Sequence, residues 1–146
     1  MGVRSDRRYR FDAPRRELWS ALTQVDHYQA WWPWLRSFDG RQFAAGESWE
    51  CVVKPQLPYT IDFVIVLDEV REAMGARAAL TGDISGWAEL ELSDGSTGSQ
   101  LRLRSDLTAR GGPARWVEAI ARPLAQRGHD WVLDNGIRQF RAATGV

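Results

Sequence analysis

Few residues of this 146-residue chain are of a type and setting that could do chemistry: two histidines, one cysteine and a small number of carboxylates next to apolar neighbours. His129 is the most suggestive. From Leu124 to Ala143, His129, Val132, Leu133, Gly136, Phe140 and Ala143 recur at three- and four-residue steps and so share one face of a helix. An imidazole on that face could donate to a carbonyl or hydroxyl, or move a proton. A histidine among apolar neighbours is more often packed and satisfied by a backbone carbonyl, which is the expectation for His129. Asp130, one step round the helix, is expected to face out or to cap a neighbouring element. Cys51 stands between Trp49 and Val53 on one strand face, where it behaves as a small buried hydrophobe.

Other chemistries lack their residues. His27, His129 and Cys51 have no spacing that fits a zinc or iron site, so no metal is expected. No Gly-rich phosphate loop, dinucleotide fingerprint or G-x-S-x-G elbow occurs, and no cofactor is expected. The GDISG stretch reads as strand and turn. Nineteen basic residues balance nineteen acidic ones, which removes the positive field that would attract nucleic acid or an anionic membrane. Eighteen of the nineteen are Arg, scattered in pairs such as Arg15/Arg16 and Arg102/Arg104, with Lys54 the only Lys. A lone Cys makes no internal disulfide, MGVRSDRRYRF has no apolar run of signal-peptide length, and no segment could span a bilayer. The chain reads as cytoplasmic, monomeric or homodimeric, and as one domain over 1–146.

The elements that must position these residues follow from period and punctuation. Asp6 to Asp12 alternates, with Tyr9 and Phe11 on one side and Arg8, Arg10 and Asp12 on the other, which predicts a half-buried strand. Asp12-Ala13-Pro14 predicts a helix start capped by Asp12, with Leu18, Trp19 and Leu22 as its apolar stripe. A second short helix is expected from Asp26 to Trp32, ending at Pro33, and the Trp31-Trp32-Pro33-Trp34 rings should plug one end of the core. Six more strands are predicted at Leu35–Asp39, Ser48–Val53, Thr60–Val70, Ala76–Leu80, Gly86–Leu92 and Gln100–Ala109, antiparallel because no helices intervene. After Gly111-Gly112 the pattern becomes helical, with Pro113, Trp116, Val117 and Ile120, and Pro123 is expected to interrupt or kink it before the final helix.

The Gly86–Thr108 hairpin can be aligned. Leu92 opposite Leu101 and Leu90 opposite Leu103 bury four leucines, and the same register sets Glu91 across from Arg102 and Glu89 across from Arg104 on the outer face. The loop Ser93 to Ser99, with Asp94-Gly95 and Gly98, closes it.

Four stretches then resemble the Bet v 1-like superfamily of START, polyketide cyclase and related ligand-binding domains, and within it a polyketide cyclase/dehydrase-like branch: DAPRRELWSAL, HYQAWWPWLRSFDG, the pair LPYT and TGDISGWAEL, and HDWVLDNGIRQF. They span nearly the whole chain in the superfamily's order. The resemblance implies an α+β helix-grip fold: a seven-stranded curved antiparallel sheet, two short helices after strand one, and a long C-terminal helix. It implies a fold much better than a reaction, and no catalytic residue transfers with it.

A sheet wrapped on one helix leaves a space that large side chains must fill or leave open. Gly82, Gly86 and Ala88 bring little volume to the inner face, and Gly136 and Ala143 little to the helix; the same glycines could instead mark bulges and close contact. The residues expected to line a cavity are His129, Val132, Leu133, Gly136 and Phe140 from the helix, Leu90 and Leu103 from the hairpin, and Trp32, Phe63 and Tyr59. Tyr59 and Asp62 are second-rank polar groups for its mouth, Asp62 being expected to face water. The partner expected is a small hydrophobic molecule such as a lipid, polyketide or aromatic metabolite. Two alternatives remain: a cyclase, aromatase or dehydratase using His129 or Asp62, and a protein-interaction module presenting Trp87 on the outer face beside Glu89 and Glu91.

Overall fold

The structure, a computed structural model, describes residues 3–55, 59–110 and 122–146. Strand β1 (Val3–Phe11) leads to helix α1 (Arg15–Leu22), a 3-10 turn (Val25–His27) and helix α2 (Tyr28–Trp31). Strands β2 (Leu35–Phe38), β3 (Ser48–Val53), β4 (Ile61–Arg71), β5 (Gly75–Gly82), β6 (Ile84–Asp94) and β7 (Ser99–Ala109) follow, and then helix α3 (Arg122–Thr144). The seven strands form one antiparallel sheet in the order β1-β7-β6-β5-β4-β3-β2. It curls into a half-barrel around α3, an α+β helix-grip architecture.

The alternation read from the sequence decides which face is inside. In β1, Val3, Tyr9 and Phe11 face inward and Arg4, Arg8 and Arg10 outward. In the β6–β7 hairpin, Leu92 pairs with Leu101, Leu90 with Leu103, Glu91 with Arg102 and Glu89 with Arg104, as the two-sided pattern requires. The outer charges then choose among neighbours. Arg104 bonds Glu89, Arg77 of β5 reaches Glu89 at 2.7 Å, and Arg102 leans across to Asp6 of β1 at 2.7 Å. That bond to Arg102 holds the Asp6 carboxyl below its usual range.

Curvature comes from register shifts between Leu35 and Ser37 and between Leu67 and Glu69, and from two glycines. Gly82 (φ +125°) and Gly86 (φ +145°) lie in backbone regions that side chains rarely adopt, and a Cβ on Gly86 would stand 1.9 Å from the Asp106 carbonyl oxygen. At both glycines the close approach is to a neighbouring strand, β4 at Gly82 and β7 at Gly86.

Several boundaries differ from expectation. Asp12 does not cap α1: the cap position is Pro14 and no side chain bonds there. The chain is still outside the helix at Ala13, whose carbonyl accepts from the buried Ser99 hydroxyl at 2.7 Å. The helix expected over Asp26–Trp32 is a 3-10 turn followed by the single turn of α2. Strand β4 is shifted by one residue from the expected span, and β5 and β6 extend beyond theirs by one or two residues at each end, where the ladder continues past the apolar pattern. The helical segment expected around Pro113, Trp116, Val117 and Ile120 lies outside the described residues.

Helix α3 is held from both sides of the half-barrel. On the β1 side Arg7 pairs with Asp130 at 2.9 Å and Asp134 at 3.3 Å, and the Tyr9 hydroxyl donates to Asp134. On the α2–β2 side the Trp32 indole N–H donates to the Gly136 carbonyl at 2.9 Å, and that of Trp34 to Gln139 Oε1 at 2.8 Å. Trp31 packs edge-on against Phe140, so all three tryptophans of the cluster serve the helix.

Candidate functional site: an apolar cavity between helix and sheet

Beneath α3 the half-barrel holds a partly open cavity of about 400 Å³. Its existence follows from the distribution of side-chain size. Large rings concentrate where β2, β3, β4 and α2 meet: Tyr28, Trp32, Phe38, Trp49 and Phe63 pack there as one cluster. The middle of the central strands carries small residues on its inner face, Ala76 and Ala78 on β5 and Ala88 on β6, with Leu80, Ile84 and Leu90 to either side. The rings pack against one another at the β2–β4 end, and the indoles of Trp32 and Trp34 lie between it and α3 at Gly136. The gap between is the cavity.

Eight of the ten residues expected at the cavity stand around it: His129, Val132 and Leu133 on α3, Leu90 on β6, Leu103 on β7, Trp32 after α2, Phe63 on β4 and Tyr59 before it. Gly136 and Phe140 do not. A Cβ on Gly136 would meet Trp34 at 3.4 Å and the Trp32 indole nitrogen at 3.8 Å, so this position serves close helix–indole packing. Phe140 is fully buried between Phe11 and Trp31, its ring centroid 5.9 and 5.3 Å from theirs, in the core beside the cavity. Ala143, assigned by period to the inner face, is exposed. Asp62 is exposed, as its alternation requires.

Polar groups in this space are few, and most are committed to the protein. The Tyr28 hydroxyl donates to the Leu22 carbonyl, and the Trp49 indole N–H to that of Gln42 at 3.0 Å. Burial pushes the Tyr28 phenol well above its ordinary pKa and raises that of Tyr59. Burial, with a smaller contribution from Asp39, pushes the Cys51 thiol up to about 12, so the residue stays an unionised, unreactive hydrophobe. Arg77, Glu89 and Arg104 border the cavity by position, but strand alternation sends their side chains to the opposite face, where they pair with one another.

The exception is His129. Its Nε2 lies 3.1 Å from the Ser105 hydroxyl on the inner face of β7, a side-chain partner in addition to its own backbone. Burial lowers the imidazole pKa below 6.5, opposed by its own backbone and by Asp130 and reinforced by Arg7. The ring is therefore neutral at pH 7, able to accept or donate one hydrogen bond at Nε2. Asp130 pairs with Arg7 and so neither faces water alone nor caps.

Sequence reasoning missed Ser105, Ala76 and Ala78. The signal for Ser105 was present: with the hairpin register known, Leu101, Leu103, Ser105 and Leu107 form one inward series with a single polar member. Ala76 and Ala78 alternate before Leu80 in the same way. Among the described residues no cluster of three or more His, Cys, Asp or Glu side chains could hold a metal ion, and no helix is long and apolar enough to cross a membrane. Trp87 lies on the outer face but is half-buried, with the Arg77 guanidinium 5.0 Å from its ring centre, so it is not the open aromatic an interaction module needs.

A curved sheet gripping a C-terminal helix around an apolar cavity defines the class: this is the Bet v 1-like fold. No protein-family model matches the chain, and no curated protein matches it by sequence. Solved structures do match. A conserved protein from Geobacillus kaustophilus superposes with a TM-score of 0.75 at 10% identity, covering 99% of this chain and 95% of that one. Ara h 8.0201 superposes with a TM-score of 0.73 at 10% identity over 99% and 98% of the two chains. A protein from Thermus thermophilus gives 0.72 at 12% identity over 98% and 99%. At these identities the likeness is one of fold.

Proposed function

We propose that the protein binds and carries a small hydrophobic molecule, of lipid, polyketide or aromatic-metabolite type, in the cavity beneath α3. The observation that carries this reading is the cavity itself: an apolar space of about 400 Å³, inside the range of roughly 300–1,000 Å³ usual for small-molecule sites, with one polar corner. Cores are otherwise packed with few voids larger than water, and a void this size forfeits contact energy unless something occupies it.

Protein purified without detergent and extracted with organic solvent should release an apolar compound at near one-to-one stoichiometry, read by mass spectrometry. Leu90→Trp, which pushes an indole into the space, should abolish that recovery and weaken binding of an apolar fluorescent probe at least tenfold. Unchanged probe affinity in a folded Leu90→Trp variant would refute the cavity as the site.

A second reading, a cyclase, aromatase or dehydratase, draws its support from the neutral His129 imidazole paired with Ser105. There the pocket would fold a reactive chain and His129 would shuttle a proton. His129→Ala should then abolish turnover while leaving binding of an apolar probe intact; unchanged turnover would exclude His129 from it.

A further inference from the structure

Resting on the reading of the cavity as a ligand site, we propose the chemistry of its ligand. It is a neutral molecule with a planar, aromatic body and one hydroxyl or carbonyl oxygen, the body lying against the β2–β4 wall and the oxygen on the Ser105–His129 pair.

The two ends of the cavity differ. The wall from α2 and β2–β4 is made of rings, whereas β6, β7 and β1 contribute aliphatic residues such as Ile84, Leu107 and Val3. The ring wall is apolar in fact as well as in name: the N–H groups of Trp32, Trp34 and Trp49 and the Tyr28 hydroxyl all donate to protein acceptors. What it offers a ligand is π faces and edges, which suit a flat aromatic body through stacked and edge-on contacts.

The opposite side supplies spare hydrogen-bonding capacity. A serine hydroxyl can donate one hydrogen bond and accept two. Ser105 uses one of these with His129, whichever of the two donates. If His129 Nε2 accepts, the Ser105 oxygen can take a ligand hydroxyl; if His129 donates, the Ser105 hydroxyl can serve a ligand carbonyl. Directly across the β1–β7 ladder is Ser5, whose buried hydroxyl has no hydrogen-bond partner among the described residues. The Ser105 hydroxyl borders the apolar space with capacity unused, and that calls for an oxygen or nitrogen partner.

Neutrality follows from charge. The inward-facing Arg7 is committed to Asp130 and Asp134, and Arg77 of β5 and Arg104 of β7 lie on the outer face with Glu89. A carboxylate entering the cavity would lose its hydration without gaining a cation among the described residues.

The test is calorimetric titration at neutral pH with naphthalene, 2-naphthol, naphthalene-2-carboxylate and 1-octanol. One added hydrogen bond predicts that 2-naphthol binds roughly tenfold tighter than naphthalene. The carboxylate and the alkanol should both bind more weakly than 2-naphthol. Ser105→Ala and His129→Leu, with folding checked by circular dichroism, should bring the naphthol advantage to within about twofold while naphthalene affinity is largely retained. Naphthalene binding as tightly as 2-naphthol would overturn the oxygen anchor and leave the cavity reading standing. An advantage that survives both variants, or that Tyr59→Phe alone removes, would overturn the assignment to Ser105 and His129. Octanol or the carboxylate binding best would overturn the ligand class, and no binding by any of the four would remove the cavity reading together with it.

Discussion

Truncating Phe140 separates the two roles that helical periodicity had merged on one face of α3. The ring is fully buried and meets Phe11 and Trp31 edge-on, outside the cavity. Phe140→Ala should cost about 3–5 kcal/mol, the usual range for a buried Phe truncation. The upper part of that range is expected, because both neighbours are rigid rings that cannot collapse into the space and each edge-to-face contact is lost as well. For a chain of 146 residues this corresponds to a fall in Tm of roughly 10–15 °C, measured by thermal and urea denaturation followed by circular dichroism. Phe140→Leu, which keeps most of the volume, should cost less than about 1.5 kcal/mol. The functional readout is the opposite: at a temperature where each variant is folded, affinity for an apolar probe should stay within twofold of the wild type. A cost under about 1 kcal/mol for Phe140→Ala would show that the end of α3 is not docked as described. A tenfold loss of probe affinity in the folded Phe140→Leu protein would show that the cavity extends to this ring after all.

Two further substitutions test the frame and the polar corner. Gly86→Ala should destabilise by at least about 2 kcal/mol in urea denaturation, since the new methyl meets the Asp106 carbonyl oxygen in a backbone conformation alanine disfavours, and a neutral outcome would refute that approach. For His129 the folded-state pKa lies below 6.5, so as pH falls through that value the unfolded chain takes up a proton before the folded one does. Burial sets this direction, against the residue's own backbone and Asp130, which raise the pKa, and with Arg7 on β1, which lowers it. Stability should therefore drop on acidification from about pH 7.5 to about pH 5.5, and by less in His129→Leu. Equal drops in the two proteins would mean that the imidazole titrates in the folded state as it does in the unfolded one.

The strands were legible because two independent constraints agreed on them. In β6 and β7 the leucines demanded one register and the charges on the other face demanded the same one, so a slip by one residue would have violated both. Helix α3 was legible from its period, but period assigns a direction and not a depth. Val132, Gly136 and Phe140 all point toward the sheet, yet one borders a cavity, one touches indoles and one fills core. What separates them is the level of the half-barrel each meets, which depends on where the tryptophans anchor the helix, and no local pattern carries that information. The Asp12 cap failed for a related reason: a short polar residue before a proline satisfies the local rule, but the tertiary bond from Ser99 to the Ala13 carbonyl accompanies a helix start two residues later, with Pro14 at the cap.

The arrangement of the Trp31-Trp32-Pro33-Trp34 segment explains how a cavity can persist in a protein with so much aromatic surface. If its indoles pointed freely inward they would fill the space over Ala76, Ala78 and Ala88. Two of them are instead tethered by their N–H groups to α3, at Gly136 and Gln139, and the third is wedged against Phe140. Each tether satisfies a polar atom that would otherwise be buried without a partner, so swinging the ring into the cavity would cost the hydrogen bond and leave the Gly136 carbonyl short of one. The same contacts fix the height of the helix above the central alanines. Cavity volume is thus set by hydrogen bonds at its border, while the side chains lining it decide what may enter.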